Sequence, residues 1–128
     1  MEASDREAFR VRALELFENT IRPAFREVIE AIPSTVARVK PFEQDLKKPG
    51  AAEMAMGLEI EFVDQTSGSV KPRLTFKALP RESRFVVVWH HEGDGAWRNT
   101  ERKSLLPEQV TPSAVEDEAV DFLAIVAK

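Results

Sequence analysis

Between residues 58 and 79 two runs place apolar side chains at every second position, and this period of two restricts the fold more than any other feature. Leu58, Ile60 and Phe62 alternate with Glu59 and Glu61, and the run 74–79 repeats the pattern through Leu74 and Phe76. Successive side chains of a strand point to opposite faces, so such alternation describes strands with one covered and one open face. The run Phe85-Val86-Val87-Val88-Trp89 is apolar throughout. It must be a central strand with some cover on each side. Thr66-Ser67-Gly68 reads as a hairpin turn between the first two runs, and Pro80-Arg81-Glu82-Ser83 as the connection between the next two. The first turn predicts Glu61 opposite Arg73, Ile60 opposite Leu74 and Glu59 opposite Thr75. The second predicts Phe76 opposite Val87 and Leu74 opposite Trp89.

The flanks have the helical period. Ser4 and Glu7 form a capping box, followed by Phe9, Ala13, Leu14, Phe17, Ile21, Phe25, Val28 and Ile32 on one helical face. Pro23 predicts a kink, or a restart capped by Asn19 or Thr20, and Ile32-Pro33 ends the element. At the other end Thr111 is an N-cap with Pro112 at the first helical position. Glu116, Asp117 and Glu118 lie where the helix dipole favours acids, and Val115, Ala119, Phe122, Leu123 and Val126 form the apolar face. Between these, residues 35–52 are ambiguous. Val36 and Val39 fit a short edge strand, Pro41 and Pro49 oppose a long helix, and 44–52 reads as a surface loop. Gly93-Asp94-Gly95 marks another turn, and the polar stretch 97–103 an edge strand.

The expected architecture is a single α+β domain spanning 1–128. A long N-terminal helix leads into an antiparallel meander of four to five strands and a C-terminal helix, with the helices packed on one face of the sheet. The expected core comprises Leu14, Phe17, Ile21, Phe25, Ile60, Phe62, Leu74, Phe76, Val87, Trp89, Phe122 and Val126. No motif assigns the chain to a known family.

Composition removes several classes of chemistry. There is no cysteine among the 128 residues, which excludes disulfides, thiolate metal sites and cysteine nucleophiles. Charged residues make up 31% and the net charge is −4, which disfavours a general nucleic-acid or anionic-membrane binder. The acidic N-terminus differs from a signal peptide, and the longest apolar runs fall far short of the ~20 residues needed to span a bilayer. A cytoplasmic location is expected.

Catalytic constellations are not legible. His90 and His91 are the only histidines, and on a strand they point to opposite faces, so a shared metal is not expected. The predicted register puts His90 opposite Arg98 and near Arg73. Glu59 and Glu61 share a face with Arg73 and Lys77, and charge pairing accounts for them better than acid–base work. The Gly93-Asp94-Gly95 turn lacks the Gly-Lys-Ser/Thr ending of a phosphate loop. Arg98, Arg102 and Lys103 read as a solvated edge. No catalytic residue, metal or cofactor is assigned.

The helix-free face offers Val86, Val88, His90 and Thr75, an apolar-centred group in need of cover. The expectation is therefore a non-enzymatic binding or interaction module, homodimeric through this face or met there by another protein. The alternative is a small enzyme or small-molecule binder with a site between helix and sheet, formed by His91, Trp89 and Trp97.

Overall fold

The computed structural model describes residues 3–32, 37–44, 46, 48, 53–62, 71–93 and 96–126, without the side chains of Ala3, Ser4, Phe62 and residues 92–98. The N-terminal pattern folds as α1 (Ala3–Leu16), a π-helical turn (Phe17–Ile21) and α2 (Arg22–Ala31). Pro23 is the physical reason for the wider turn. Without an N–H it cannot continue the ladder, and its ring crowds the carbonyl four residues back. The chain inserts one extra residue, and the Arg22 N–H donates to the Phe17 carbonyl. Pro23 then falls in the first turn of α2, where a missing donor is harmless. The helix thus continues through the proline with no side-chain cap from Asn19 or Thr20. Ser4 lies within α1, and its side chain, on which the expected capping box depends, lies outside the described residues. Ile32, before Pro33, is extended with φ −93° and ψ 123°.

Five strands follow: β1 (Ala37–Gln44), β2 (Met54–Phe62), β3 (Arg73–Leu79), β4 (Arg84–Gly93) and β5 (Ala96–Leu105). They form one antiparallel sheet in sequential order. The helix α3 (Pro112–Val126) closes the chain, with the Thr111 hydroxyl accepting from the Ala114 N–H at 3.1 Å as expected of an N-cap. The α+β meander read from the periods is the fold. The ambiguous stretch supplies a full edge strand, and Pro41 is tolerated because an edge leaves one side of the ladder empty. The expected loop beyond it is partly interior: Leu46 is buried in the core, and Arg10 Nη2 donates to the Lys48 carbonyl at 3.0 Å.

Registers were recovered unevenly. Phe76 pairs with Val87 and Leu74 with Trp89, as predicted. The β2–β3 pairing differs by two residues: Glu59, not Glu61, faces Arg73, Leu58 faces Leu74, and Gly57 faces Thr75. A two-residue slip keeps every side chain on its face, so the apolar pattern cannot detect it. The expected Thr66–Gly68 turn lies outside the described residues. In β4–β5, Gly93 pairs with Ala96 and His90 faces Asn99, where Arg98 had been expected; Arg98 faces His91. Further along, Val87 pairs with Lys103 and Val88 with Glu101, leaving Arg102 as the extra residue of a bulge.

The helix-covered face carries the core. Phe17, Ile21, Phe25, Ile60, Leu74, Phe76, Val87, Trp89 and Phe122 belong to one buried cluster, with Leu14 and Val126 only partly buried against it. Met54, Met56 and Phe85 join it unforeseen, and the Phe85 ring meets Phe9 and Phe17 with centroids 5.7 and 5.6 Å away.

Gly57 is required by a close approach. A Cβ there would collide with the Leu74 carbonyl and lie 2.6 Å from Cζ of Phe42, whose ring crosses the glycine. Gly57→Ala is expected to cost about 2–3 kcal/mol in urea unfolding, because the Leu74 carbonyl belongs to a paired strand and cannot move aside as the end of the Phe42 ring can. A loss below ~0.5 kcal/mol would show that the β3 backbone does not pass there.

Candidate functional site

The open face of the sheet follows from the register as three rows running across the strands. In the middle row Phe42, Gly57, Thr75, Val88 and Glu101 are successive neighbours from β1 to β5. One flanking row holds Glu59, Arg73, His90 and Asn99, and the other Gln44, Ala55, Lys77 and Val86. At its centre the middle row carries only a hydrogen, a threonine and a valine, while long side chains rise on both sides. The result is a trough of about 470 Å³, lined by Arg73, Thr75, Lys77, Val88 and His90 near its centre and reaching Phe42 and Glu101 at its ends. That volume lies in the usual range of ligand pockets.

Of the four residues expected at an interface, Thr75, Val88 and His90 line this trough and are half-buried. Val86 corrects an expectation: it is only 2% exposed within the single chain, between Lys77 and Ser104, and does not need a second molecule to cover it. Four contributions to the trough escaped the sequence reading: Phe42, Gln44, Asn99 and Glu101. Phe42 is apolar in a polar stretch, which was the one available signal, but its face and that of Gln44 depended on the pairing of β1 with β2. Asn99 and Glu101 depended on the Gly93–Ala96 pairing, one residue away from the expected register.

The trough is polar and cationic near its centre. Arg73 and Lys77 are four residues apart on β3, roughly 13 Å at about 3.3 Å per residue, with Thr75 between them. Neither makes an ion pair or side-chain hydrogen bond among the described residues. Glu61 instead pairs with Lys71 at 3.5 Å. His90 Nδ1 donates to Asn99 Oδ1, which turns the imidazole along the trough wall.

The alternative site looks different. Trp89 is 3% exposed, packed by Phe122 at 5.2 Å and His91 at 6.0 Å between ring centroids, with the Arg102 guanidinium 4.1 Å above its ring. Protein groups occupy its surroundings, and neither Trp89 nor His91 lines the trough. Trp97 faces Glu92 in the ladder, and its side chain lies outside the described residues. Beside this cluster stands an acid whose burial was not expected. Glu118 is 1% exposed, with Lys103 Nζ 3.0 Å and Arg102 Nε 3.8 Å from its oxygens. The closer contact is an ion pair without hydrogen-bond alignment, since neither carboxylate oxygen has a hydrogen-bond partner. No group of three or more His, Asp or Glu side chains is placed to hold a metal among the described residues.

A second hollow, of about 360 Å³, lies between α2 and α3 over Val28, Ala31, Ile32, Val120 and Leu123, with Glu27 and Glu116 at its rim. The hydrogen bond with Glu27 raises the Glu116 carboxyl above the ordinary carboxylate range, helped by desolvation and by the charges of Glu27 and Asp117. A raised folded-state value means that the folded protein holds this proton more tightly than the unfolded chain. The unfavourable contribution is therefore fully present above the raised value and disappears as pH falls through it to below the unfolded value. Glu116→Gln is expected to raise the melting temperature slightly at pH 7 and leave it unchanged at pH 3. Equal effects at both pH values would show that the two carboxyls do not interact.

Fold and face together define an α+β protein with a five-stranded meander, one side sealed by helices and the other open. No family model, curated protein or solved structure matches the chain. None of the described helices is long and apolar enough to cross a membrane.

Proposed function

We propose that the chain is a binding or interaction module with no catalysis of its own, and that its working surface is the open face of the sheet. The observation that carries this reading is the trough itself, a concave surface floored by Thr75 and Val88, with two cations, Arg73 and Lys77, that have no ion-pair partner among the described residues. Screening a fragment library against the labelled protein by two-dimensional NMR tests it. Hits are expected to shift the amides of Thr75, Val88, His90 and Asn99. Shifts clustered at Trp89, His91 and Trp97 would replace this reading with the small-molecule or enzyme site between helix and sheet.

A homodimer is the second reading of the same face, favoured by the half-buried Val88 and Phe42 at its middle. Isologous pairing would bring the two Val88 side chains near one another across the two-fold axis. Light scattering at micromolar concentration is then expected to give twice the chain mass for the wild type and the chain mass for Val88→Glu. A monomeric wild type ends the dimer reading, and a dimer indifferent to Val88→Glu moves the interface to another surface. A cytoplasmic location belongs to the same proposal.

A further inference from the structure

We propose that the trough binds a small organic anion, its carboxylate or phosphate lodged over Thr75 between Arg73 and Lys77 and its apolar body resting against Phe42. This rests on the open face being the working surface, and it assigns the chemistry of the occupant.

Charge is the first argument. Among the described half-buried cations, Arg10, Arg22, Lys71 and Arg84 each have an acid partner. Arg73 and Lys77, half-buried on the central strand, do not have one among the described residues. Among the described lining residues, two cations and a histidine therefore stand against a single acid, Glu101, although the whole chain carries −4. An anion placed between them gains charge-assisted hydrogen bonds from both, and the Thr75 hydroxyl supplies a third donor from the floor. Glu59 faces Arg73 across the ladder, but it does not line the trough.

Shape gives the orientation. Glu101 stands at the β5 end and repels the anion, so the charged group belongs over β3 and the body extends toward β1. That direction leads to the ring of Phe42, which lies over Gly57, the direct neighbour of Thr75. The ring therefore stands about one strand spacing from Thr75, roughly 5 Å at about 4.8 Å per strand, so an anion held over Thr75 can rest one aromatic or short aliphatic group against it. Bare inorganic anions would use the cations and leave the Phe42 end empty.

The test is an NMR titration of the full chain with benzoate and phenyl phosphate, with benzamide as the neutral isostere and inorganic phosphate as the anion without a body. Benzoate and phenyl phosphate are expected to shift Thr75 and Val88 saturably. Benzamide is expected to bind about tenfold more weakly or less, and Arg73→Gln and Lys77→Gln to weaken the anions about tenfold each. Arg73→Lys should retain most of the binding, which separates a charge effect from a folding defect. Phe42→Ala should weaken benzoate and leave inorganic phosphate unchanged. Equal binding of benzamide and benzoate, or indifference to both Gln variants, overturns the anion assignment. Inorganic phosphate binding as tightly as phenyl phosphate overturns the apolar half. A wild-type dimer burying the trough would also defeat this inference while leaving the open-face reading intact, whereas fragment shifts confined to Trp89 and His91 would remove both.

Discussion

Phe76→Ala is expected to lower the unfolding free energy by about 3–5 kcal/mol, a third or more of what a domain of this size usually possesses. Phe76 is fully buried in the middle of β3, between Met56 and Val87, and its ring meets Phe25 of α2 edge-on with centroids 5.7 Å apart. Truncation removes the transfer contribution of the ring and leaves a cavity walled by three hydrogen-bonded strands and a helix, none free to collapse inward. Val88→Ala, one strand away on the open face, should cost less than ~1 kcal/mol, because its surroundings are already open to water. Equilibrium urea unfolding of both variants gives the comparison. A loss below ~1 kcal/mol for Phe76 would put this side chain in solvent and the entire strand on the wrong face.

That contrast follows from a property the sequence does encode. Alternation tells which side of a strand is covered, so Leu74 and Phe76 could be assigned to the core before any pairing was known, and Val87 and Trp89, on a strand that is apolar throughout, followed from their pairing with them. It does not encode which neighbour each residue faces, since a shift of two preserves the faces. The β3–β4 connection is four residues long and left no such freedom, and its register was legible. The β2–β3 connection is longer, and Arg73 was placed beside the wrong glutamate. Pro23 announced an irregularity correctly, but a π turn and a capped restart satisfy the same missing donor. The choice between them depends on Phe17 and Ile21 both reaching the core, which is a tertiary matter.

The candidate site was legible as a face and not as a cavity. Thr75, Val88 and His90 follow from parity on β3 and β4. The trough additionally needs Phe42, brought by a strand that a proline-containing polar stretch hardly announces, and Gly57, whose lack of a side chain matters only because Phe42 crosses it. Glu101 reaches the trough because the tight Gly93–Ala96 pairing sets the parity of β5 as far as the bulge at Arg102, one residue away from the expected register. Features produced by two distant segments meeting have no local signature.

The same bulge leads to an asymmetry in stability around Glu118. Lys103→Ala combined with Arg102→Ala is expected to cost about 3 kcal/mol, while Glu118→Leu should leave stability unchanged or raise it by about 1 kcal/mol. Parity alone would send Arg102 and Lys103 to opposite faces. With the extra residue in β5, both reach the helix side and meet Glu118, the one buried acid among the described residues, whose side chain is 2% exposed against their 42% and 49%. A carboxylate so enclosed loses its hydration, and two half-solvated cations without aligned hydrogen bonds return only part of that loss. Removing the acid removes the penalty, and leucine fills most of its volume among Val115, Ala119 and Phe122. Removing the cations instead leaves the charge buried and unanswered, and also uncovers the Trp89 ring on which Arg102 lies. Thermal and urea unfolding of the three proteins at neutral pH measures the difference. If Glu118→Leu cost more than ~2 kcal/mol, the ion pair would be a net source of stability and the poor hydrogen-bond geometry would not decide its balance.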